Sequence, residues 1–360
     1  MSLYTTLPLS AQTAYAQLVD AALAANHART VADLPGSFAH KTVKGRRYVY
    51  FQYREPSGNL RQIYVGPDNE QTQALMAVKS SPSAAGALGP LARAAVALGC
   101  QPILGDHFKV LRRLADYGFF RAGGVLIGTH AYLAAGNLLG VRWGDASSTQ
   151  DIDFAHAGKR VAIALPSNVV VPTHDAINSL GMGLLPITAL SGKSGARYLN
   201  PADPAFCLDF LAPQRRDGEP YVHPQLGIAL QPLKFMEYLL EDVHQAVVFC
   251  PQGAVVVSTP NPARYAMHKL LVYGERSGTD LAKAPKDLRQ AASILSFYLD
   301  HREWEIFEAW NDMVSRGPGW MKRAYEGLRA LARAYPALDL SGFDLAGADV
   351  QREAGPRPNN

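Results

Sequence analysis

Apolar and polar positions along the chain fall into three regimes. Over residues 8–26, alanines, leucines and a valine recur at helical spacing, which predicts a helix. Residues 36–66 change character: Gly45-Arg46-Arg47-Tyr48-Val49-Tyr50-Phe51-Gln52-Tyr53-Arg54 is β-branched and aromatic, breaks at Glu55-Pro56-Ser57-Gly58-Asn59 and returns as Leu60-Arg61-Gln62-Ile63-Tyr64-Val65. That pattern predicts a β-hairpin with a loop of a few residues. Residues 79–90, rich in Ser, Ala, Gly and Pro, read as a loop or linker, and 91–99 and 106–118 as helices.

From Gly123 the pattern becomes α/β. Val125-Leu126-Ile127 reads as a short buried strand, 129–139 as a helix, and 149–154 and 206–211 as further strands. Residues 244–250 and 254–258 predict a hairpin around Pro251-Gln252-Gly253, and everything after Pro262 reads as helical to about residue 335. The polar tail 351–360 carries two prolines and is expected to fray. These elements predict an α+β chain. Residues 1–90 form an N-terminal helix, basic hairpin module and linker; 91–260 a core; 261–345 a helical region; 346–360 a tail.

Composition narrows the class. At 48% hydrophobic and 18% charged residues the chain is globular, which excludes a mostly disordered one. No apolar run is long enough to span a membrane, and the first residues lack the basic and apolar regions of a signal peptide. Cys100, Cys207 and Cys250 form no CxxC pair, which argues against a disulfide scaffold or thiolate zinc site and for a reducing cytoplasm. Charge is uneven. Residues 1–122 hold 13 Lys and Arg against 7 Asp and Glu, leaving 22 against 24 for the rest. Either the first third presents a surface to an anionic partner or the asymmetry serves solubility alone.

Candidate chemistry centres on Thr149-Gln150-Asp151-Ile152-Asp153-Phe154. On a strand, Asp151 and Asp153 share one face while Ile152 and Phe154 take the other. Two adjacent carboxylates repel unless a cation lies between them, and oxygen-only ligands suit Mg²⁺ or Mn²⁺. Taken alone, Asp-x-Asp is also a common solvated edge. Gly123-Gly124-Val125-Leu126-Ile127-Gly128-Thr129 then places Gly128 and Thr129 where a strand meets a helix N-terminus, whose free N–H groups favour phosphate. Asp209 is the lone charge in the apolar run Phe206-Cys207-Leu208-Asp209-Phe210-Leu211, so it either completes a carboxylate triad or takes backbone hydrogen bonds.

Gly128-Thr129, the Asp151-x-Asp153 strand and a later strand Asp209 together resemble the nucleotidyltransferase superfamily that includes DNA polymerase β, and in particular a bacterial nucleotidyltransferase-like branch. The resemblance covers roughly residues 120–300. It implies a polymerase-β-like core that moves a nucleoside monophosphate from an NTP, ATP being one candidate, to a hydroxyl acceptor and releases pyrophosphate. The acceptor would be an RNA 3′ end, a protein side chain or a small molecule. Asp151, Asp153 and Asp209 would be catalytic and would ligate the divalent metal, with Gly128 and Thr129 holding the β- and γ-phosphates. The stretch 130–150 is longer than the superfamily's usual gap, and Arg142-Trp143-Gly144-Asp145 within it reads as a lid, a nucleotide contact or a loop.

The helical region resembles the toxin-like AbiEii branch in Pro262-Ala-Arg264-Tyr-Ala-Met-His268-Lys269 and Lys286-Asp287-Leu-Arg289-Gln. This implies nucleotide-binding roles for Lys269 and Asp287, with Lys286 the lesser candidate. Gln290 stands where a second aspartate often follows. An ordinary solvated helix face explains the same residues.

Ser191-Gly192-Lys193-Ser194-Gly195 lacks the earlier glycine of a P-loop, because position 187 is Ile187. His130 and His156 flank the candidate site as polar wall or surface residues. Arg46, Arg47, Arg54 and Arg61, set among tyrosines in the hairpin, suit either a nucleic-acid clamp or a small sheet with an aromatic core and solvated arginines. The rival to an enzyme is a non-catalytic nucleic-acid-binding or regulatory protein that retains the fold.

Overall fold

The computed structural model describes residues 2–27, 36–54, 60–80, 84–144, 149–157, 171–188, 192–215, 218–276 and 282–343. The loop 55–59, Asp145, Ser191 and the tail 351–360 lie outside these. The chain opens with β1 (Tyr4–Thr6), α1 (Leu9–His27), β2 (Ser37–Val43), β3 (Arg46–Arg54), β4 (Leu60–Pro67), α2 (Glu70–Ser80), α3 (Leu88–Leu98) and α4 (Gly105–Asp116). The middle holds β5 (Gly124–Leu126), α5 (Gly128–Leu138), β6 (Val141–Trp143), β7 (Asp151–His156), α6 (Thr173–Asn178), β8 (Leu185–Thr188) and β9 (Ser194–Asn200). It continues with β10 (Asp203–Pro213), β11 (Tyr221–Val222), β12 (Ala229–Leu233), α7 (Met236–Leu239), β13 (Val243–Cys250) and β14 (Gly253–Pro260). Four helices follow: α8 (Pro262–Glu275), α9 (Ala284–His301), α10 (Glu303–Ser315) and α11 (Pro318–Ala334).

A mixed sheet of seven strands organises the middle, with β11-β12-β10-β7-β5 in order and β9, then β8, added on the free length of β10. β7 and β10 run parallel and β5 antiparallel to β7. Alternation along β7 and β10 sends Ile152, Phe154, Leu208 and Phe210 into a buried core, where Phe154 and Phe210 stack at 5.1 Å. The opposite face is left for the carboxylates.

β13 and β14 read as apolar runs because both their faces are covered. Ala246, Val248 and Cys250 join the sheet core, while Val247 and Phe249 pack with α1 and α3. The N-terminal helix therefore shares an interior with the middle of the chain, and β1 pairs with β6. The helices α8–α11 close a second core against α5, with α8 and α11 in near backbone contact. A Cβ on Gly327 would stand 2.2 Å from the Leu270 carbonyl oxygen.

Three sequence expectations are corrected. The expected loop over 79–90 is helical wherever it is described: 79–80 end α2, and a 3₁₀ turn over Ala84–Ala87 leads into α3, where Leu88 and Ala92 are buried. The hairpin gains a third strand, β2, paired with β3 through Ser37–Val43. Trp143 is no lid: its ring stacks on Tyr132 at 4.9 Å and its indole N–H donates to the Tyr132 carbonyl. Among the described residues no helix is long and apolar enough to cross a membrane.

Candidate active site

The carboxylates are placed by strand register. In the parallel pair β7–β10, Asp151 lies opposite Cys207 and Asp153 opposite Asp209, so all three acidic side chains rise from one face of neighbouring strands. β9 adds Arg197 directly beside Asp209, with Nε 3.4 Å from Asp209 Oδ1 and a terminal nitrogen donating to Cys207 Sγ at 3.2 Å. The Ile127 N–H donates to the Asp153 carbonyl at 2.9 Å, which ties the end of β5 to the same rung.

Gly128 sits where β5 turns into α5, in the left-handed region at φ +62°. A Cβ there would lie 2.1 Å from Asp153 Oδ2 and 3.1 Å from Asp153 Cβ. Glycine is therefore required twice, once for the dihedral and once for the space the Asp153 carboxylate fills. The contact also brings that carboxylate against the first turn of an eleven-residue helix, the end that favours anions. Thr129 follows and is buried.

Opposite the carboxylates, α8 presents Tyr265, His268, Lys269 and Val272 to the cleft, a spacing that keeps them on one helix face, and Arg276, the residue that ends the helix, joins them there. Asn261 caps this helix by accepting from the Ala263 N–H at 2.8 Å, and Pro262 fills its first turn. Lys269 Nζ donates to Asp287 Oδ1 at 2.8 Å, and Arg276 Nε donates to Asp287 Oδ2 at 2.6 Å. Asp287 is buried, with both oxygens engaged. The Tyr265 hydroxyl donates to the Gly128 carbonyl at 3.0 Å or to Gln290 Oε1 at 2.9 Å, linking α8 and α9 to the glycine turn.

Gly128, Thr129, Asp151, Asp153, Asp209, Lys269 and Asp287 all line one cleft of about 690 Å³, with Lys283 and Lys286 also on its wall. Leu211, Phe235, Met236 and Val272 give the same cleft an apolar stretch. Asp287 is brought there as a holder of cations: with Lys269 and Arg276 on its two oxygens, it has none turned to a phosphate. A second cavity of about 430 Å³ is lined by Gln101, His107, His130, Arg142 and Thr149 among others. Thr149, on the wall of this cavity, donates its hydroxyl to Asp151.

His130 and His156 are both buried, which corrects the surface option. His130 shares a 2.8 Å hydrogen bond with His107, and His156 bonds the Ala122 carbonyl. Arg47 is tied to Asp68 and His40, and the side chain of Arg54 lies outside the described residues. Among the described residues, Arg46, Arg47 and Arg61 do not line the cleft.

The electrostatics are those of crowded acids beside fixed cations. Burial, then the charges of Asp151 and Asp209, push Asp153 up to about 6. Burial also raises Asp209, against the pull of Arg197. Burial works against Asp151 too, but the Thr149 hydroxyl, a backbone N–H and Lys286 outweigh it and leave it below its ordinary value. Burial would likewise raise Asp287, yet Lys269 and Arg276 hold it down.

Three carboxylates on one face of neighbouring strands, one of them pushed up by burial and by its acidic neighbours, are the oxygen-only donor type that a divalent cation takes. As the side chains stand, no group of three or more His, Cys, Asp or Glu among the described residues has a metal-holding arrangement.

Burial and the neighbouring acids push Asp153 up to about 6 in the folded state, above the ordinary aspartate value near 3.8 that it takes when unfolded, so the folded state holds the proton more tightly. Its ionisation therefore costs stability, and the cost grows as pH rises through that window, to at most about 3 kcal/mol. Asp153→Asn should match wild type in melting temperature below the window and exceed it above. Parallel melting curves against pH check this.

A model of the nucleotidyltransferase family matches residues 106–315, from α4 to the end of α10. The chain belongs to that family. No curated protein matches it. Among solved structures, an antigenic nucleotidyltransferase-like protein from Paracoccidioides brasiliensis is similar at 14% identity, over 62% of this chain and 94% of that one, with a TM-score of 0.30.

Tyr265, Arg197 and Arg276 were missed by sequence reasoning. The helical spacing of Tyr265 and Arg276 around Lys269 was available as a signal. Arg197 carried none, because its place depends on β9 folding back onto β10.

Proposed function

We propose that the chain transfers a nucleoside monophosphate from an NTP to a hydroxyl acceptor, releasing pyrophosphate. The observation that carries this is the register of β7 and β10, which sets Asp153 beside Asp209 and against Gly128. Asp151, Asp153 and Asp209 would hold Mg²⁺ or Mn²⁺, which when bound neutralises phosphate charge and acidifies the acceptor hydroxyl. The first N–H groups of α5 and the Thr129 hydroxyl receive the β- and γ-phosphates. Lys269, oriented by Asp287, faces them from α8 and stabilises the charge that grows on the leaving pyrophosphate. Arg197 holds Oδ1 of Asp209, which leaves Oδ2 to take the acceptor's proton. In-line attack needs the acceptor opposite the pyrophosphate, and Asp209 lines the same cleft as Gly128 and Thr129, so the acceptor hydroxyl would enter that cleft.

Melting curves with each NTP, with and without Mg²⁺, test the reading. At a hundredfold excess over Kd the nucleotide should add about 2.7 kcal/mol, and only when metal is present. No stabilisation by any NTP with Mg²⁺ or Mn²⁺ would count against it.

Asp287→Asn separates positioning from direct contact. It leaves Lys269 and Arg276 without their shared counter-charge, so the melting temperature should fall. KM for the metal–NTP complex should rise roughly tenfold, with kcat per folded molecule changed less, because the loss falls on phosphate binding. Steady-state kinetics on preparations matched for folded fraction would show it.

A further inference from the structure

The sheet β2–β3–β4 lies outside the span that matches the family, and its two faces differ. Alternation and register put Phe38, Val49 and Phe51 on one face, where Val49 and Phe51 are buried and Phe38 meets Phe51 edge-on at 5.4 Å. Arg47 belongs to this face, bound to Asp68 and His40. The other face is built differently. Lys41 stands beside Tyr48, Tyr50 beside Tyr64 and Gln52 beside Gln62, with Arg46 at the end of the Tyr48–Tyr50 row. All of these are exposed or half-buried. The Tyr50 and Tyr64 rings are 5.6 Å apart, Tyr48 and Tyr64 6.0 Å, and Lys41 Nζ lies 4.8 Å over the Tyr50 ring. The three strands hold five Lys and Arg and no Asp or Glu.

We propose that this face binds single-stranded nucleic acid. The tyrosines offer ring faces on which unpaired bases stack, and Lys41 and Arg46 neutralise phosphates on either side of them. Gln62 donates to Gln52 Oε1 at 3.1 Å and Gln52 to Ser37 Oγ at 3.2 Å, which orients the two amides and leaves each with further hydrogen-bonding capacity for base edges. No carboxylate on the strands repels the backbone, so the charge is complementary across the whole face. A duplex hides its bases and would use the cations alone; an acidic peptide would leave the tyrosines idle. The site stands independently of the nucleotidyl-transfer reading.

Fluorescence anisotropy of a labelled oligouridylate of about 20 nucleotides with the full chain tests it. Binding should weaken between about 50 and 200 mM salt, with a log–log slope of roughly −0.7 per phosphate contact. Tyr50→Ala with Tyr64→Ala should weaken it at least tenfold, since each stack is worth about 1–3 kcal/mol and every 1.4 kcal/mol is tenfold. Tyr50→Phe with Tyr64→Phe keeps the rings and should bind like wild type, as should Arg47→Ala on the other face. Should the Ala pair unfold the sheet by circular dichroism, the Phe pair and a duplex of equal length still decide. The proposal is overturned by no binding to the single strand at low salt, by an intact Ala pair that binds like wild type, by loss of binding in the Phe pair, by equal affinity for the duplex, or by equal competition from polyglutamate.

Discussion

Asp151→Asn combined with Asp153→Asn is expected to abolish nucleotidyl transfer, with a loss on the order of 10³-fold or more, while the protein stays folded. The two carboxylates rise from one strand face beside Asp209. As part of a metal site they would supply several kcal/mol of transition-state charge stabilisation, and each 1.36 kcal/mol is a factor of ten in rate. Asn preserves shape, so Ile152 and Phe154 beneath should pack as before. Asp153 ionises only near pH 6 because burial and its neighbours oppose the charge, so neutralising it relieves repulsion at neutral pH. A dead variant that melts no lower than wild type separates chemistry from folding. Single-turnover rates and melting temperatures on one preparation measure both. Retained activity would remove the pair from the site.

Gly128→Ala is expected to be almost as damaging, by a steric route. The added methyl would lie 2.1 Å from Asp153 Oδ2, so the carboxylate must turn aside or β5 must retreat. At φ +62° an L-residue also costs about 1–2 kcal/mol. The Tyr265 hydroxyl contacts the carbonyl of the same residue, so the disturbance reaches α8. We expect a rate loss on the order of 10²-fold or more, as for other small displacements of catalytic groups, with a lowered melting temperature. A Gly128→Ala protein with near wild-type turnover would show that the backbone approach at this turn is dispensable.

Much of the site was legible because its residues lie on regular elements. Strand alternation alone placed Asp151 and Asp153 together over a buried Ile152 and Phe154. Gly128-Thr129 was marked by the change from strand to helix. The sequence could not show that Asp153 and Asp209 share a rung, since register across 55 intervening residues depends on the whole sheet. Nor could it show that Asp287 is neutralised by Arg276 as well as Lys269, which needs α8 and α9 packed side by side. The short strands β1, β6, β8, β11 and β12 went unread because two to five residues carry too little periodicity. Residues 84–90 misled because their Gly and Pro punctuate a helix start rather than a linker.

The most direct measurement incubates the protein and Mg²⁺ with cell extract and each NTP, labelled in turn at the α- and the γ-phosphate. Nucleotidyl transfer predicts that, above the same extract with the Asp151→Asn, Asp153→Asn variant, some NTP leaves additional α-label on an acceptor and none leaves additional γ-label, because the γ-phosphate departs within pyrophosphate. Additional label from the γ-phosphate, or no α-label above the variant with any of the NTPs, would contradict it.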